Sequence, residues 1–511
     1  MFLDTRVGTL VEPLTGRTWD RAETDARRLR RMAALHSAGV SRGDRVFLHH
    51  GNTLEFFADL LAVWSLGACA VPIDGRLTPF EIGQFAEAAR PRASILGRAT
   101  DAAVSSRLES LGVTVIHAEE ADASPAPPPA AATSLHLDDD ALVLFTSGTT
   151  GNPKGVVHTH RSLRARWAGL RSALGTETFA RTLCLLPTHF GHGLICNCLY
   201  PWLSGNTLYI LPPYRADLLT GLGALIDEHR ITFMSSVPPV WRLALKLSAP
   251  PRLQTLQRVF CGSAPLSGAL WESVRKWTGT PSVFNAYGIT ETGSWLAGTT
   301  TDFEPEDGLI GVPWGGVLRV LKSADTSVAP WEAEACAPGE PGHIWVNTPA
   351  LMKGYLGRDD LTSKVVAGGW FVTGDIGVLD EKGRLYLRGR EREEINKGGA
   401  KLFPSDVDAV VERFDGVGDV CTFAYPDPLY GENVGMALVL KTPDDETLRG
   451  LNAWMGEHLA QHQFPERWYL VDEIPRTSRG KINRDVVSET CQKLRPLDKK
   501  RLLGPDRSTT G

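Results

Sequence analysis

The chain has 511 residues, of which 42% are hydrophobic and 22% are charged, a composition that excludes a wholly disordered or collagen-like protein. At about 150 residues per domain, this length allows three or four domains, or two if one of them is large. The 54 basic and 59 acidic residues leave a formal net charge of −5, without the basic excess that would indicate a nucleic-acid-binding protein.

Eight cysteines are few for this length, and no CxxC pair occurs. They predict reduced, buried thiols rather than a disulfide or metal framework. The first residues, MFLDTRVGTLVEP, lack the apolar core of a signal peptide, and no run reaches the roughly 18 apolar residues of a membrane span. We therefore expect a cytoplasmic protein with no membrane span and no nucleic-acid partner.

The first part of the chain alternates between helical and strand patterns. Residues 20–39 predict a helix, and RVFLHH (45–50) and ACAVPI (68–73) predict short strands between helices. This alternation favours an α/β fold with a largely parallel sheet. The Ala/Pro-rich residues 121–133 indicate an exposed connector rather than a domain boundary.

The composition changes at the charged run 389–397, and the residues beyond it have an α/β pattern of their own. Ser405 is expected to cap a helix through about Arg413. DVCTFAY, VGMALVL and RWYLV predict strands, and residues 446–461 predict a helix. This is enough chain for a second, smaller domain.

We thus predict a large multi-lobed N-terminal α/β domain over residues 1–390 and a small α+β C-terminal domain over residues 391–496. The polar residues 497–511 are expected to form a disordered tail.

Residues 141–155 read ALVLFTSGTTGNPKG, an apolar strand followed by a loop of Thr, Ser and Gly. Glycines let backbone N–H groups approach phosphate oxygens, hydroxyls donate further hydrogen bonds, and a lysine adds positive charge. The loop is not the P-loop of kinases, because Pro153 and Gly155 flank Lys154 where that motif has Gly and Ser or Thr. The alternative is a turn without a ligand, which ten consecutive residues of this kind disfavour. The candidate phosphate-binding residues are Thr146, Ser147, Gly148, Thr149, Thr150, Gly151 and Lys154.

TSGTTGNPKG resembles the signature loop of the adenylate-forming superfamily, which comprises acyl- and aryl-CoA synthetases, adenylation domains of peptide synthetases, and beetle luciferases. The resemblance extends from about residue 17 to about residue 488 and implies the fold of that family, with a small mobile C-terminal domain. The further motifs that carry it are, in chain order, RVFCGSAPL (258–266), NAYGITETG (285–293), GWFVTGD (369–375) and PRTSRGKINR (475–484).

The resemblance implies a nucleotide site. The implied contacts are the adenine and acyl pockets for Gly262, Ser263, Ala264 and Pro265, adenine stacking for Tyr287, and the ribose hydroxyls for Asp375 and Arg390.

The resemblance also implies catalytic groups. Thr290 would hydrogen-bond the α-phosphate, and Glu291 would hold Mg²⁺, a hard cation that prefers carboxylate oxygen. Lys154 would neutralise phosphate charge. Lys481 would stabilise the negative charge that concentrates where acyl oxygen, phosphorus and pyrophosphate meet.

The resemblance places a hinge at Arg392, where Asp or Lys is commoner in the family. After it, EEINKGGAKLFPSDVDAV is similar to a string of CoA ligases, in which Gly398 and Gly399 would let the pantetheine arm of coenzyme A pass close to the backbone. This similarity favours coenzyme A as acceptor, while an acyl-carrier protein or an amine stays open.

The segment LLPTHFGHGL (185–194) matches the aromatic gate of the family, with the gate at Phe190. Members that activate amino acids usually place Asp next to the gate, whereas this chain has Gly191 there. An unpaired ammonium in an apolar pocket is costly, so we predict an acid without an α-amino group. Val237 and Trp295 are expected to make the pocket apolar and partly aromatic, which suits an aryl or short-to-medium acyl acid.

His189 and His192 flank the gate, and we expect structural roles for them, since no ligand at zinc spacing accompanies them. The predicted activity is an acid–thiol ligase that uses ATP and Mg²⁺ to form acyl-AMP and then transfers the acyl group to coenzyme A. The alternatives are an acyl-AMP ligase for a carrier protein and an amide-forming synthetase.

Overall fold

A computed structural model describes residues 7–98, 100–122, 135–146, 153–213, 216–477, 481–498 and 501–502. Most of the predicted Ala/Pro-rich connector lies outside the described residues. So do five candidate phosphate-binding residues, which are Ser147, Gly148, Thr149, Thr150 and Gly151.

The elements follow one another in a mixed α/β order. The helices are α1 (Arg21–Ser37), α2 (Leu54–Ser65), α3 (Pro79–Ala89), α4 (Ala102–Ser110), α5 (Ala118–Ala121), α6 (His160–Leu174), α7 (Tyr200–Trp202), α8 (Ala216–Leu219), α9 (Leu222–Glu228), α10 (Pro238–Leu247), α11 (Gly268–Thr278), α12 (Asp359–Thr362), α13 (Pro404–Val411), α14 (Asp445–His458) and α15 (Arg484–Gln492). Short 3₁₀ turns are Glu177–Phe179, Thr290–Thr292, Glu391–Glu393 and Gln461–Gln463, and a π-helix is His192–Leu199.

The strands are β1 (Leu10–Glu12), β2 (Arg17–Trp19), β3 (Arg45–His49), β4 (Cys69–Pro72), β5 (Ala93–Leu96), β6 (Thr114–His117), β7 (Asp140–Thr146), β8 (Lys154–Thr159), β9 (Arg181–Cys184), β10 (Thr207–Ile210), β11 (Phe233–Ser236), β12 (Arg258–Gly262), β13 (Val283–Ile289), β14 (Ser294–Gly298), β15 (Leu309–Pro313), β16 (Val317–Leu321), β17 (Gly342–Asn347), β18 (Gly354–Tyr355), β19 (Val366–Ala367), β20 (Trp370–Leu379), β21 (Leu385–Arg390), β22 (Ile395–Lys397), β23 (Ala400–Leu402), β24 (Val417–Asp427), β25 (Gly431–Leu440) and β26 (Arg467–Leu470).

The first sheet carries the predicted βαβ pattern. Within the described residues it has seven strands in the order β18-β8-β7-β4-β3-β5-β6, and the strands from β7 to β6 run parallel. Buried apolar strands such as β4 and β5 are typical of a parallel sheet covered on both faces. Helix α2 is almost entirely buried between the sheets, with Thr53 capping its first turn.

The second sheet runs in the order β16-β17-β20-β21-β15-β14-β13-β12-β11-β9-β10-β1-β2. Strands β9 to β13 pair in parallel, and pairing turns antiparallel from β13 to β14 onward. Its core is rich in large aromatic side chains, including the stacked rings of Phe260 and Trp314.

A third sheet lies wholly within the C-terminal part of the chain. Its five described strands run in the order β23-β22-β25-β24, with β26 beside β25, and α13 and α14 cover its own apolar cluster. Along the chain, the last strand of the second sheet, β21, ends at Arg390, and the first strand of the third sheet, β22, begins at Ile395. The chain therefore passes from one sheet to the other within the charged run.

Two details of the C-terminal prediction are wrong. Helix α13 begins at Pro404 after Phe403, so Ser405 lies inside the helix, where proline at the first turn replaces a side-chain cap. The Ser405 hydroxyl instead donates to the Arg388 carbonyl at 2.5 Å. The tail does not begin at 497, because the Leu497 N–H donates to the Trp468 carbonyl and Leu502 is buried in the C-terminal core.

None of the described helices is long and apolar enough to cross a membrane.

Buried imidazoles make the stability of this fold depend on pH. Burial lowers the pKa of His49, His158 and His160 to about 4. An unfolded histidine has a pKa near 6.5, so between about pH 6.5 and 4 the unfolded chain binds protons that the folded chain does not. The contribution of these neutral histidines to the free energy of unfolding is therefore fully present above pH 6.5 and is lost as the pH falls toward 4.

His160→Phe should reduce this pH dependence. His160 packs edge-on against Trp64 at 5.6 Å between ring centroids, and neither ring nitrogen has a hydrogen-bond partner. The free energy of unfolding, measured by urea denaturation, should fall less steeply between pH 6.5 and 4.5 in this variant than in the wild type. The difference between the two slopes should be about 1.4 kcal/mol per pH unit. The same exchange at exposed His462 should leave the slope unchanged. Equal slopes in both variants would contradict the prediction.

Candidate functional site

The predicted site residues follow the carboxyl ends of neighbouring parallel strands. Phe190 follows β9, Val237 follows β11, Gly262 ends β12, and Thr290 follows β13. Carboxyl ends of parallel strands meet at one edge of a sheet, and ligands of open α/β sheets bind in the crevice beyond that edge. The fold thus brings together motifs that are far apart in the chain.

Three predicted nucleotide contacts form one hydrogen-bonded cluster. The Tyr287 hydroxyl donates to Asp375 Oδ2 at 2.5 Å, and Arg390 Nε lies 2.6 Å from Asp375 Oδ1. Strands β20 and β21 pair with Asp375 directly opposite Arg390, so backbone register sets the ion pair. The Asp375 charge raises the pKa of Arg390, and burial followed by that charge raises the pKa of Tyr287. The cluster presents a charged carboxylate and guanidinium beside an aromatic ring.

The turn that carries Thr290 and Glu291 is held by buried donors. The His158 Nε2–H donates to the Thr290 carbonyl at 2.8 Å, and the Met352 N–H donates to the Glu291 carbonyl at 2.7 Å. Because His158 is fully buried and its pKa is lowered to about 4, its ring is neutral at physiological pH.

Arg166 holds the end of the same turn. Its guanidinium donates to the Thr292 carbonyl at 2.7 and 3.2 Å and to the Trp314 carbonyl at 2.8 Å. The side chain is buried and pairs with no carboxylate of the described residues, and this burial lowers its pKa to about 10. Arg166 therefore uses a buried charge to satisfy backbone oxygens on two segments.

The Glu291 carboxylate contacts a tyrosine from a distant strand. The Tyr355 hydroxyl donates to Glu291 Oε1 at 2.8 Å, and the Lys154 Nζ lies 6.0 Å from the centroid of the Tyr355 ring. Burial, and then the Glu291 charge, raises the pKa of Tyr355. The pairing of β7 with β8 sets Lys154 opposite Thr146, at the two ends of the candidate phosphate loop.

This donor set fits Mg²⁺. Among the described residues no group of three His, Cys, Asp or Glu side chains could hold a metal ion by itself. Mg²⁺ is commonly held by one or two carboxylates and takes its other ligands from substrate phosphates and water, and Glu291 supplies such a carboxylate.

The gate segment forms an aromatic cluster with the residue after the glutamate motif. Ring centroids lie 5.9 Å apart for Phe190 and His192 and 5.5 Å apart for His192 and Trp295, and all three side chains are buried. His192 also lies within hydrogen-bond distance of Ser263 Oγ (2.9 Å) and Ser235 Oγ (2.6 Å). A Ser263 backbone φ of 67° places this loop residue in the left-handed region.

Gly191 lies beside the turn. A Cβ atom there would lie 3.5 Å from Leu144 Cδ1 and 3.9 Å from Thr290 Oγ1. Val237, at the start of α10, is buried in the same apolar cluster as Phe190 and Trp295. Gly262 has a packing reason to be glycine, because a Cβ atom would lie 2.1 Å from the Ala286 carbonyl oxygen of β13. Ala264 is partly exposed and Pro265 is exposed.

Lys481 approaches this site from the C-terminal domain. Burial, and then the Lys481 charge, lowers the pKa of His192 to about 3. The Lys481 loop is closed by hydrogen bonds between its backbone and Thr477.

The two domains also touch away from the site. Arg242 pairs with Glu412 at 2.7 Å, and Asp307 pairs with Arg413. Arg392 is exposed in the 3₁₀ turn between the two sheets.

Gly398 and Gly399 form the exposed two-residue turn of the β22–β23 hairpin. Their φ angles are 60° and 94°, and Lys397 pairs with Ala400 across the turn. A turn with positive φ at both positions favours glycine, which gives these residues a local reason besides any ligand.

Three residues of the site were missed by sequence reasoning, and these are His158, Arg166 and Tyr355. Each lies in a regular element with ordinary spacing. The partners of His158 and Arg166 in the Thr290–Thr292 turn are more than a hundred positions away, and Glu291 and Tyr355 are 64 positions apart. The one available signal was the polar residue within an apolar strand, as in GVVHT.

Two family profiles match most of the chain. The profile of the family described as AMP-binding enzyme matches residues 9–356, and that of the AMP-binding enzyme C-terminal domain matches residues 406–481. The chain therefore belongs to the AMP-binding enzyme family, and the predicted family and fold class are confirmed.

Several curated relatives of the chain are named as acid–CoA ligases. Feruloyl-CoA synthase of Amycolatopsis sp is 30% identical over 472 residues, which is 90% of this chain and 92% of the relative. The o-succinylbenzoate CoA synthetase MenE from Bacillus subtilis, in complex with the acyl-adenylate intermediate OSB-AMP, is 25% identical with a TM-score of 0.83 over 95% of each chain. ATP-bound MatB from Rhodopseudomonas palustris is 25% identical with a TM-score of 0.83 over 96% of each chain, whereas apo MatB gives 0.74.

Arg166→Leu should destabilise the protein, because it leaves the Thr292 and Trp314 carbonyls without their buried donor. We expect a loss of about 2 kcal/mol or more in the free energy of unfolding by urea denaturation. Arg164→Leu, an exposed position on the same helix, should change it by less than about 0.5 kcal/mol. The prediction fails if the two variants are equally stable.

Proposed function

We propose that the protein is an AMP-forming carboxylate–CoA ligase. It uses ATP and Mg²⁺ to convert a carboxylic acid to acyl-AMP and then transfers the acyl group to the thiol of coenzyme A. The observation that carries this proposal is the hydrogen-bonded Tyr287–Asp375–Arg390 cluster, beside which Tyr355 binds the Glu291 carboxylate. Lys481 of the other domain would complete this site.

The nucleotide is bound by groups that the fold has already oriented. Tyr287 stacks on adenine while its hydroxyl stays bound to Asp375. Asp375 accepts the ribose hydroxyls, and Arg390 lies beside it to donate to the ribose. The adenine and acyl pockets are bordered by Gly262, Ser263, Ala264 and Pro265. Thr146 and Lys154, which lie opposite each other where β7 ends and β8 begins, border the phosphates.

In the first half-reaction a substrate carboxylate oxygen attacks the α-phosphorus, and the bond from that phosphorus to pyrophosphate breaks. Thr290 donates a hydrogen bond to the α-phosphate. Lys481 places a positive charge where negative charge gathers in the transition state, which lowers the barrier more than it strengthens ground-state binding.

Glu291 is the residue that would hold Mg²⁺. When bound with ATP, this cation neutralises phosphate charge. Glu291 is oriented for this role by Tyr355 and by the Met352 N–H on its own carbonyl.

In the second half-reaction the thiol of coenzyme A attacks the acyl carbonyl and AMP leaves. For this step we propose that the C-terminal domain, from residue 391 on, rotates about Arg392, withdraws Lys481 and presents the Gly398–Gly399 turn to the pantetheine arm. The arrangement described above corresponds to the first half-reaction, which the higher TM-score to ATP-bound than to apo MatB supports. Rotation requires the Arg242–Glu412 pair to separate.

The acid is apolar and lacks an α-amino group. The Phe190, Trp295 and Val237 side chains are buried together, and Gly191 offers no carboxylate to an ammonium. An aryl or short-to-medium acyl acid fits such surroundings. We place the enzyme in the cytoplasm, where its eight free cysteines, seven of them buried, stay reduced.

The test of the function is pyrophosphate release over a panel of carboxylic acids, without and then with coenzyme A. The panel contains benzoate, hydroxycinnamates, fatty acids of increasing length, dicarboxylates and amino acids. We expect pyrophosphate release with aryl or short-to-medium acyl acids and none with amino acids. AMP release should depend on coenzyme A. Turnover only with a phosphopantetheinyl carrier protein or an amine would overturn the acceptor, and no release with any acid would overturn the activity.

Lys481→Ala should separate the two half-reactions. Acyl-AMP formation, measured as pyrophosphate release in a single turnover, should slow by about 100-fold or more, since the transition state loses its charge partner. Thioester formation from supplied acyl-AMP should stay within a few-fold of wild type. Lys493→Ala, an exposed lysine after α15, serves as control and should change neither step. Equal losses in both half-reactions would refute the alternation of domains.

A further inference from the structure

The segment that carries Tyr355 is bound tightly to the strand that carries Lys154. Strand β18 pairs antiparallel with β8, with Tyr355 opposite Val156. The Leu356 N–H donates to the Gly155 carbonyl at 2.7 Å, immediately after Lys154. This backbone pairing sets the direction in which the Tyr355 side chain leaves the strand.

The same segment contacts Glu291 at two points. The Met352 N–H donates to the Glu291 carbonyl at 2.7 Å, and the Tyr355 hydroxyl donates to Glu291 Oε1 at 2.8 Å. The backbone of Glu291 and one oxygen of its carboxylate are therefore both held by the segment 352–355. A carboxylate with one oxygen bound to a donor loses the freedom to turn about its last bond.

The ring of Tyr355 faces a second charged group of the site. Its centroid lies 6.0 Å from Lys154 Nζ, within the range of a cation–π interaction. The hydroxyl thus contacts the acidic member of the proposed ATP–Mg²⁺ site and the ring contacts the basic member. Tyr355 therefore contacts both Glu291 and Lys154.

We propose that Tyr355 is a positioning residue for the ATP–Mg²⁺ site: its hydroxyl orients the Glu291 carboxylate and its ring restrains the Lys154 ammonium. This inference rests on the proposed function, because it concerns the same nucleotide site. Outer partners of metal-binding carboxylates commonly change metal affinity by about 10- to 100-fold when they are removed.

The test separates the hydroxyl from the ring and needs no knowledge of the acid. Tyr355→Phe removes only the hydroxyl, and Tyr355→Leu removes the ring as well. The readouts are ATP affinity by calorimetry over a series of Mg²⁺ concentrations and in EDTA, and Mn²⁺ binding in the presence of ATP by electron paramagnetic resonance.

In Tyr355→Phe we expect the Mg²⁺ or Mn²⁺ requirement to rise by about 10-fold, with ATP affinity in EDTA nearly unchanged. In Tyr355→Leu the ATP affinity in EDTA should fall too, since Lys154 loses its contact. The control is Tyr386→Phe, which removes a hydroxyl that donates to Glu306 at 3.0 Å on the surface. This control should match wild type in every readout.

An unchanged metal requirement in Tyr355→Phe would overturn the proposal and leave a merely structural hydrogen bond. If that variant fails to fold, as judged by circular dichroism, Tyr355→Met takes its place under the same criterion. Glu291→Gln distinguishes the two levels: loss of metal-dependent ATP binding there, with no change in Tyr355→Phe, overturns this inference alone. Wild-type protein that binds no ATP would overturn the proposed function.

Discussion

Three successive carbonyl oxygens, those of Thr290, Glu291 and Thr292, lie where the large sheet changes from parallel to antiparallel pairing, and each is bound by a buried donor. Their donors come from outside that sheet. His158 lies on β8 of the seven-stranded sheet and Arg166 on the helix that follows it. The turn is therefore one place where the two sheets of the large domain are joined through hydrogen bonds, and the proposed metal-binding carboxylate lies at that junction.

The charges of the site are arranged locally. Asp375 pairs with Arg390 through strand register, Glu291 is bound by Tyr355, and Lys154 lies over the same ring. Such groups can hold a phosphate chain without a basic field over the whole surface, which is consistent with a net charge of −5. Partial burial strengthens these interactions, because fewer waters screen them. The same burial lowers the pKa values of His158 and His192 and keeps these rings neutral, which makes the protein less stable at low pH.

The C-terminal domain contributes the proposed catalytic side chain, Lys481, and several surface contacts. Its core is separate from that of the large domain, so it can move as a unit. In the described part of the chain, the contacts between the domains include the Arg242–Glu412 and Asp307–Arg413 ion pairs and the Ser405–Arg388 hydroxyl–carbonyl bond. Partly exposed ion pairs contribute little to stability, so such an interface suits the proposed movement of Lys481.

The sequence by itself determined the family, the α/β class and some of the elements, since glycine, hydroxyl and proline spacing in motifs such as TSGTTGNPKG depends on local backbone chemistry. It also predicted Asp375, Arg390, Glu291 and Lys481 as site residues, because they stand in short motifs, and these roles stay predictions. It misjudged Ser405 and the start of the tail, because a contact with Arg388 and burial of Leu502 are not visible in local pattern. Only the tertiary structure decided the partners of Glu291 and its turn. His158, Arg166 and Tyr355 act through contacts between separate sheets, and such contacts arise from packing rather than from residue spacing along the chain.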